Sequence, residues 1–138
     1  MKIYAIVPAF NEATNIANVV ADITKAVPGI TIVVIDDGSR DNTAQVAKLT
    51  GAIVLRLPHN LGIGGAVQTG LRFATLCNAD YVVRLDGDGQ HPAEGIPLLL
   101  EPVMSGELDI AIGSRFCCDS PKQVVSFPRQ VGHINCAG

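Results

Sequence analysis

Residues 30–39 have the sequence Ile30-Thr31-Ile32-Val33-Val34-Ile35-Asp36-Asp37-Gly38-Ser39, and this stretch indicates the fold class. Its first six residues are mostly apolar and β-branched, without the polar alternation of a half-exposed strand. Strands that are buried on both faces of a parallel sheet have this pattern. The acidic and small residues that follow are typical of a turn. The stretch therefore predicts a buried strand that ends in polar residues.

The same pattern recurs along the chain. The further apolar runs are Ile3–Val7, Ala52–Leu57, Tyr81–Leu85 and Leu108–Ile112. Between the runs, apolar residues stand at helical spacing, as in Ile16, Val19, Val20 and Ile23. Strand and helix alternate about five times, which predicts an α/β fold with a mostly parallel, doubly wound, Rossmann-like sheet sandwiched by helices. Ligands of such sheets bind at the carboxyl ends of the strands.

Several polar residues and glycines mark the helix boundaries. Asn11 precedes the first helix, and Asp41 or Ser39 can cap the second. Gly29 and Gly51 stand where these two helices are expected to end.

Composition narrows the class of protein. The chain has 138 residues, 48% of them hydrophobic, and a formal net charge of −3 without a dense Lys/Arg cluster, so a nucleic-acid partner is not expected. Four cysteines show no zinc-site spacing, and the Cys117-Cys118 pair is expected to be two thiols in a reduced, cytosolic chain. No signal peptide or membrane-spanning stretch is visible.

Carboxylates follow the predicted fourth strand in Asp86-Gly87-Asp88-Gly89-Gln90-His91. Residues two apart in an extended segment project the same way, so Asp86 and Asp88 can face one ligand. A hard cation such as Mg²⁺ or Mn²⁺ suits these carboxylates with Gln90 as a further oxygen donor, whereas His91 is softer. An ordinary turn is the alternative, but the position after a buried strand favours the metal.

Polar residues at other strand ends are candidates for ligand contact. Of the adjacent Asp36 and Asp37, one is expected to face the crevice and accept hydrogen bonds from a nucleobase or ribose; the alternative is an acid that stabilises the second helix. Glu12 has the same two interpretations. Arg115 after the fifth strand can bring a positive charge to a diphosphate, or be solvated surface. The glycines of residues 60–66 do not fit a dinucleotide fingerprint, and close packing explains them.

Five segments, taken together, resemble family 2 glycosyltransferases, in particular the dolichyl-phosphate mannose or glucose synthase branch. They are Pro8–Glu12, Ile35–Ser39, Asn60–Gly62, Asp86–His91 and Gly113–Arg115. The resemblance covers Met1 to about Arg115 and implies a GT-A fold, a nucleoside-diphosphate sugar donor such as UDP-glucose or GDP-mannose, and inversion at the anomeric carbon.

The resemblance also implies roles for individual residues. Pro8, Phe10 and Glu12 would line the nucleotide pocket, and Asp37 would contact the base. The Asp-x-Asp pair, Asp86 and Asp88, would hold catalytic Mg²⁺ or Mn²⁺ with Gln90, and Arg115 would meet the diphosphate. The acceptor would be a polyprenyl phosphate or another glycan acceptor of cell-envelope synthesis, reached peripherally at the cytoplasmic face of a membrane.

Residues 1–115 are expected to form the nucleotide-sugar-binding core, and residues 116–138 an irregular tail that begins a truncated acceptor region. The chain would then bind donor with poor turnover, and an exposed sheet edge can promote a homodimer. Two alternatives remain open: a non-catalytic nucleotide- and metal-binding module, and a phospho-acceptor receiver. In receivers the acid pair follows the first strand, whereas here it follows the second.

Overall fold

The computed structural model describes residues 2–85, 87, 95–104, 110–113 and 122–126. Its strands are β1 (Ile3–Ala9), β2 (Thr31–Asp36), β3 (Ile53–Arg56), β4 (Tyr81–Arg84), β5 (Ile110–Gly113) and β6 (Lys122–Ser126). Its helices are α1 (Ile16–Ala26), α2 (Thr43–Leu49), α3 (Gly62–Leu76) and α4 (Ile96–Met104). The predicted α/β class is confirmed.

The strands form one sheet in the order β3-β2-β1-β4-β6-β5. The pairs β3–β2, β2–β1 and β1–β4 are parallel, so these four strands end at the same edge of the sheet. Because β1 is central, residues 5–9 are buried. Strand β3 lies at an edge and is only partly covered, contrary to the expectation that both of its faces are buried.

The expectation that residues 116–138 form an irregular tail is wrong for residues 122–126. Residues 122–126 form a strand, β6, which pairs antiparallel with both β4 and β5. The pattern Lys-Gln-Val-Val-Ser is too short to reveal a strand by periodicity, and it is the open edge of β4 that supplies its hydrogen-bond partners. The predicted division at residue 115 and the predicted homodimer stay predictions.

Apolar side chains pack on both faces of the sheet. On one face lie Ile16, Val19, Val20 and Ile23 of α1, at the spacing that predicted this helix, with Ala47 of α2 and with Ile96 and Leu100 of α4. On the other face, Ala66 and Ala74 of α3 pack against Ile6, Val33 and Ile35. The helices therefore cover both faces and leave the carboxyl edge of the strands to the loops.

Helix starts differ in part from those expected. Helix α1 begins at Ile16 after a turn, not directly after Asn11. The carboxylate of Asp41 accepts a hydrogen bond from Thr43 N–H at the start of α2 (3.0 Å), whereas the Ser39 hydroxyl bonds elsewhere. Gly29 and Gly51, with φ of 87° and 88°, do lie beyond the ends of α1 and α2.

None of the helices in the described ranges combines the length and apolar character that crossing a bilayer requires. Cys77 is a free thiol. The cysteines at 117, 118 and 136 lie outside the described residues.

Candidate nucleotide site

A cavity of about 320 Å³ opens at the carboxyl ends of the parallel strands. The end of β1 contributes Pro8, Ala9, Phe10 and Glu12, and the loop after β2 contributes Asp37. The remaining lining comes from the entry to α3 and from Gly87, which follows β4. Four of the predicted site residues, Pro8, Phe10, Glu12 and Asp37, therefore line one cavity.

Asp37 is the buried charge of this cavity. Its side chain is only 4% exposed, and its Oδ1 accepts a hydrogen bond from Leu61 N–H (2.7 Å). Within the described part of the chain, no Lys, Arg or His forms an ion pair with it. A carboxylate can accept about four hydrogen bonds, so Asp37 retains acceptor capacity for an N–H donor in the cavity.

Gly38 lets two loops approach closely beside Asp37. Its φ is 73°, and an added Cβ would lie 2.8 Å from Asn60 N and 2.9 Å from the carbonyl carbon of His59. Any side chain would therefore separate the loop after β2 from the loop after β3. The close approach is what brings Leu61 N–H to Asp37.

The loop after β1 combines an apolar and an acidic side chain. The ring of Phe10 is 44% exposed at the cavity, which suits stacking against a planar base. The side chain of Glu12 accepts a hydrogen bond from Asn15 Nδ2 (2.9 Å), and its backbone oxygen accepts from Ile16 N–H (2.8 Å) at the start of α1. Glu12 thus lines the cavity, and its backbone oxygen satisfies the first N–H of α1.

Hydrogen bonds join the loops after β1 and β2. Asn11 N–H donates to Ser39 Oγ (2.8 Å), and Glu12 N–H donates to Thr43 Oγ1 (3.0 Å). Ala13 N–H donates to Asp41 Oδ2 (3.3 Å). The hydroxyl of Thr43 also donates to Asp41, which lowers the pKa of that carboxyl. The two loops therefore form one hydrogen-bonded wall.

The predicted metal ligands stand close to Gly87 in the sequence. Asp86, Asp88 and Gln90, with the diphosphate candidate Arg115, are outside the described residues. Gly87 is described: its N–H donates to Pro8 O (3.1 Å), and an added Cβ would lie 3.0 Å from Ala9 Cβ. Within the described ranges, no three His, Cys, Asp or Glu residues are grouped as a metal site would require.

Sequence reasoning assigned no site role to several residues at the entry to α3. Asn60, Gly62, Ile63 and Ala66 line the cavity, and Ile63 is 54% exposed there. The sequence pattern indicates a packing role for the glycines of this segment, and Gly62 adopts a positive φ of 84°. The position of the segment in the sequence could have indicated a site role, because the segment follows a parallel strand as the other site loops do.

The fold and the cavity define a class of protein. It is an α/β domain with a cavity at the strand ends, lined by a buried carboxylate and an aromatic ring. The model of the family described as "Glycosyl transferase family 2" matches residues 4–131. The chain belongs to glycosyl transferase family 2, and its fold is GT-A. This membership excludes the receiver alternative.

Related proteins support the same family. A UDP-N-acetylglucosamine–dolichyl-phosphate N-acetylglucosaminyltransferase of Methanococcus voltae is 32% identical over 96% of this chain and 59% of its own length. A dolichol-phosphate mannosyltransferase of Pyrococcus furiosus is 38% identical over 84% of this chain and 34% of its own length. The chain spans about half the length of the curated relatives it matches.

A solved structure matches most of the fold. Glucosyl-3-phosphoglycerate synthase from Mycobacterium tuberculosis, crystallised with Mn²⁺, UDP-glucose and phosphoglyceric acid, superimposes with a TM-score of 0.72 and 26% identity. The match covers 94% of this chain and 57% of that one.

Proposed function

We propose that this chain carries the donor site of an inverting, metal-dependent glycosyltransferase. The enzyme would move a hexose from a nucleoside-diphosphate sugar to a polyprenyl phosphate. The observation that carries the proposal is the cavity, in which Phe10, Glu12, Asp37 and Gly87 meet at the strand ends. The names of the relatives, which include dolichyl-phosphate sugar transferases, support the donor and acceptor classes.

In this proposal the base binds between Phe10 and Asp37. The exposed ring of Phe10 provides an apolar surface for stacking. The carboxylate of Asp37 accepts an N–H of the base, since one N–H of the chain uses only part of its acceptor capacity. The same contacts suit uracil and guanine, so UDP-glucose and GDP-mannose are both candidate donors.

The diphosphate end of the donor would lie toward Gly87. Asp86, Asp88 and Gln90 offer oxygen atoms, which fit Mg²⁺ or Mn²⁺, and the Gly87 backbone lies against Pro8 and Ala9 at the cavity. The ion would neutralise charge that develops on the departing nucleoside diphosphate. Arg115 would add a fixed positive charge there.

The transfer step requires little proton chemistry from the protein. An oxygen of the acceptor phosphate, already ionised at neutral pH, forms a bond to the anomeric carbon as the bond to the diphosphate oxygen breaks. General-base assistance therefore contributes less than it does for a sugar hydroxyl, and positioning contributes more. A polyprenyl acceptor would place the enzyme peripherally at the inner face of a membrane.

Calorimetric titration with UDP-glucose and GDP-mannose, each with and without Mn²⁺, tests the proposal. We expect one donor to bind the wild-type chain in a metal-dependent manner. Asp88→Ala should abolish this metal-dependent binding of the donor. Asp37→Asn should weaken binding by about 10-fold or more, because it replaces an ionised acceptor with a neutral one.

Asp22→Asn is the matched control, since Asp22 is exposed on α1. It should bind the donor with wild-type affinity. Absence of binding to both donors in the presence of Mn²⁺ would contradict the proposal. Donor binding by the wild-type chain that is unchanged in Asp37→Asn would contradict the assignment of the base contact. Binding without transfer to a polyprenyl phosphate would favour the non-catalytic module.

A further inference from the structure

Asp36 is a buried carboxylate that does not line the cavity. It is 1% exposed at the end of β2, and its Oδ1 accepts a hydrogen bond from Ser39 N–H (2.9 Å). Its Oδ2 has no hydrogen-bond partner within the described residues, and Arg56 Nε lies 3.8 Å away on a side chain that is 67% exposed. Burial of a carboxylate with so few partners costs free energy, which suggests a role other than stability.

The bond from Ser39 to Asp36 is the first of a short series. Ser39, itself buried, accepts Asn11 N–H on its hydroxyl oxygen (2.8 Å). The side-chain oxygen of Asn11 in turn accepts Arg40 N–H (2.8 Å). The buried Asp36 therefore orients Ser39 in the loop after β2, and Ser39 in turn orients Asn11 in the loop after β1.

Asn11 has a strained backbone conformation. Its φ is 53°, in the left-handed region, which asparagine adopts more often than other non-glycine residues but still in a minority of cases. Such a conformation persists where the surrounding structure holds it. Asn11 donates its N–H to the Ser39 hydroxyl, and its side-chain oxygen accepts the Arg40 N–H. The loop after β2 therefore holds the strained residue in place.

The neighbours of Asn11 in sequence are cavity residues. Phe10 precedes Asn11 and Glu12 follows it, and both of these residues line the cavity. The left-handed turn at Asn11 thus sets the directions in which Phe10 and Glu12 project relative to Asp37. A relaxed Asn11 would redirect the chain at this point.

We infer that Asp36 and Ser39 are positioning residues, which hold the Phe10–Glu12 loop in the conformation that binds the donor nucleotide. Neither residue needs to touch the ligand, because they act through Asn11. The inference rests on the proposed function for the identity of the ligand, whereas the effect on the loop itself does not depend on it.

The test uses two pairs of variants and two readouts. Ser39→Ala removes the hydroxyl acceptor and Ser39→Thr retains one, while Asp36→Ala removes the carboxylate acceptor and Asp36→Asn retains an oxygen. Thr75→Val is the matched control, because it removes a hydroxyl that bonds within α3 (to Leu71 O, 2.8 Å). The readouts are the exchange rate of the Asn11 amide proton by NMR and the Kd for UDP and GDP with Mn²⁺ by calorimetry.

In Ser39→Ala and in Asp36→Ala we expect the Asn11 amide to exchange at least about 10-fold faster and the Kd to rise about 5- to 20-fold, as for the loss of one hydrogen bond that preorganises a site. Ser39→Thr, Asp36→Asn and Thr75→Val should stay within about twofold of wild type by both readouts. Should Asp36→Ala fail to fold, Asp36→Leu, which removes the acceptor but fills a similar buried volume, replaces it with the same expected result.

Two results would overturn the inference. One is an Asn11 exchange rate that equals the wild-type rate in Ser39→Ala or in Asp36→Ala. The other is faster exchange with an unchanged Kd and only a lower melting temperature, as a merely structural role predicts. If wild type binds neither nucleotide, the proposed function fails, and the Asn11 exchange rates alone decide whether Asp36 and Ser39 hold the loop.

Discussion

Asp36 and Asp37 are adjacent in sequence but have different surroundings. Asp37 lines the cavity and accepts Leu61 N–H, whereas Asp36 is buried beneath the loop and accepts Ser39 N–H. Strand alternation explains the difference, because successive side chains at the end of β2 point to opposite sides. Sequence alone predicted that one of the two would face the crevice. It gave no sign that the other would anchor a neighbouring loop.

Asp41 provides a test of charge at the residue scale. The Thr43 hydroxyl lowers the pKa of Asp41 below its ordinary value of 3.8, backbone N–H groups of Thr43 and Ala13 lower it further, and burial opposes them. A folded-state pKa below the unfolded one means that the ionised carboxylate stabilises the fold above pH 3.8, and this stability is lost as the pH falls through the folded-state pKa.

We therefore expect Asp41→Asn to lower the free energy of unfolding at pH 7 and to differ less from wild type as the pH is lowered below 3.8. Urea denaturation at several pH values between 7 and 3 measures the difference. Thr43→Val, which removes the hydroxyl donor, should reduce the pH dependence in the same sense. A difference between Asp41→Asn and wild type that is constant across this range would contradict the assignment.

At the scale of elements, helix α3 is held close to the sheet by a glycine. A Cβ on Gly70 would lie 2.5 Å from Ile6 Cγ2 and 2.8 Å from Ile35 Cδ1. With small residues at Ala66 and Ala74 on the same buried side, the helix can approach β1 and β2 closely. This approach also brings the first residues of α3 to the cavity.

Gly70→Ala should therefore destabilise the fold by about 1–3 kcal/mol, because the added methyl group overpacks the core. Gly64→Ala is the matched control in the same helix, since nothing lies within 4 Å of its Cβ position. It should be neutral or stabilising by up to about 1 kcal/mol, the difference in helix propensity. Urea denaturation distinguishes the two, and equal effects would contradict the packing argument.

At the scale of the whole molecule, one sheet separates two apolar cores. Ile6 belongs to the core beneath α3, and Ile23 of α1 belongs to the core on the opposite face. Both cores share the central strands, whose residues contribute alternately to the two faces. The two faces are therefore expected to unfold together.

The two tyrosines report on these faces separately, because Tyr4 packs against the α3 core and Tyr81 against the other. In Tyr81→Phe and Tyr4→Phe, fluorescence of the remaining tyrosine should give the same urea midpoint as far-UV circular dichroism. Ile6→Ala and Ile23→Ala should each lower both midpoints. The corresponding loss in the free energy of unfolding is about 2–5 kcal/mol. Ile53→Ala, at the partly exposed edge strand, is the control with a smaller effect. Separate midpoints would show independent cores.

Much of the fold and part of the site could be predicted from sequence, because both depend on local patterns. Apolar runs without alternation identified five strands, and the spacing of Ile16, Val19, Val20 and Ile23 identified the buried face of α1. Polar residues placed after strands pointed to the strand-end site, since parallel strands end at a common edge. Strand β6 was not predicted, because a short strand is stabilised by its neighbours in the sheet and not by its own sequence pattern.

The sequence by itself determined the alternation of strands and helices, the polar residues at the strand ends and the family resemblance. Tertiary structure alone decided that β6 lies between β4 and β5, that the entry to α3 lines the cavity, and that Ser39 bonds Asn11 instead of capping α2. The physical reason is the range of the interactions. Periodicity and turn preferences act between near neighbours in the chain, whereas the Asn11–Ser39 bond joins residues 28 positions apart that meet only when β1 and β2 pair.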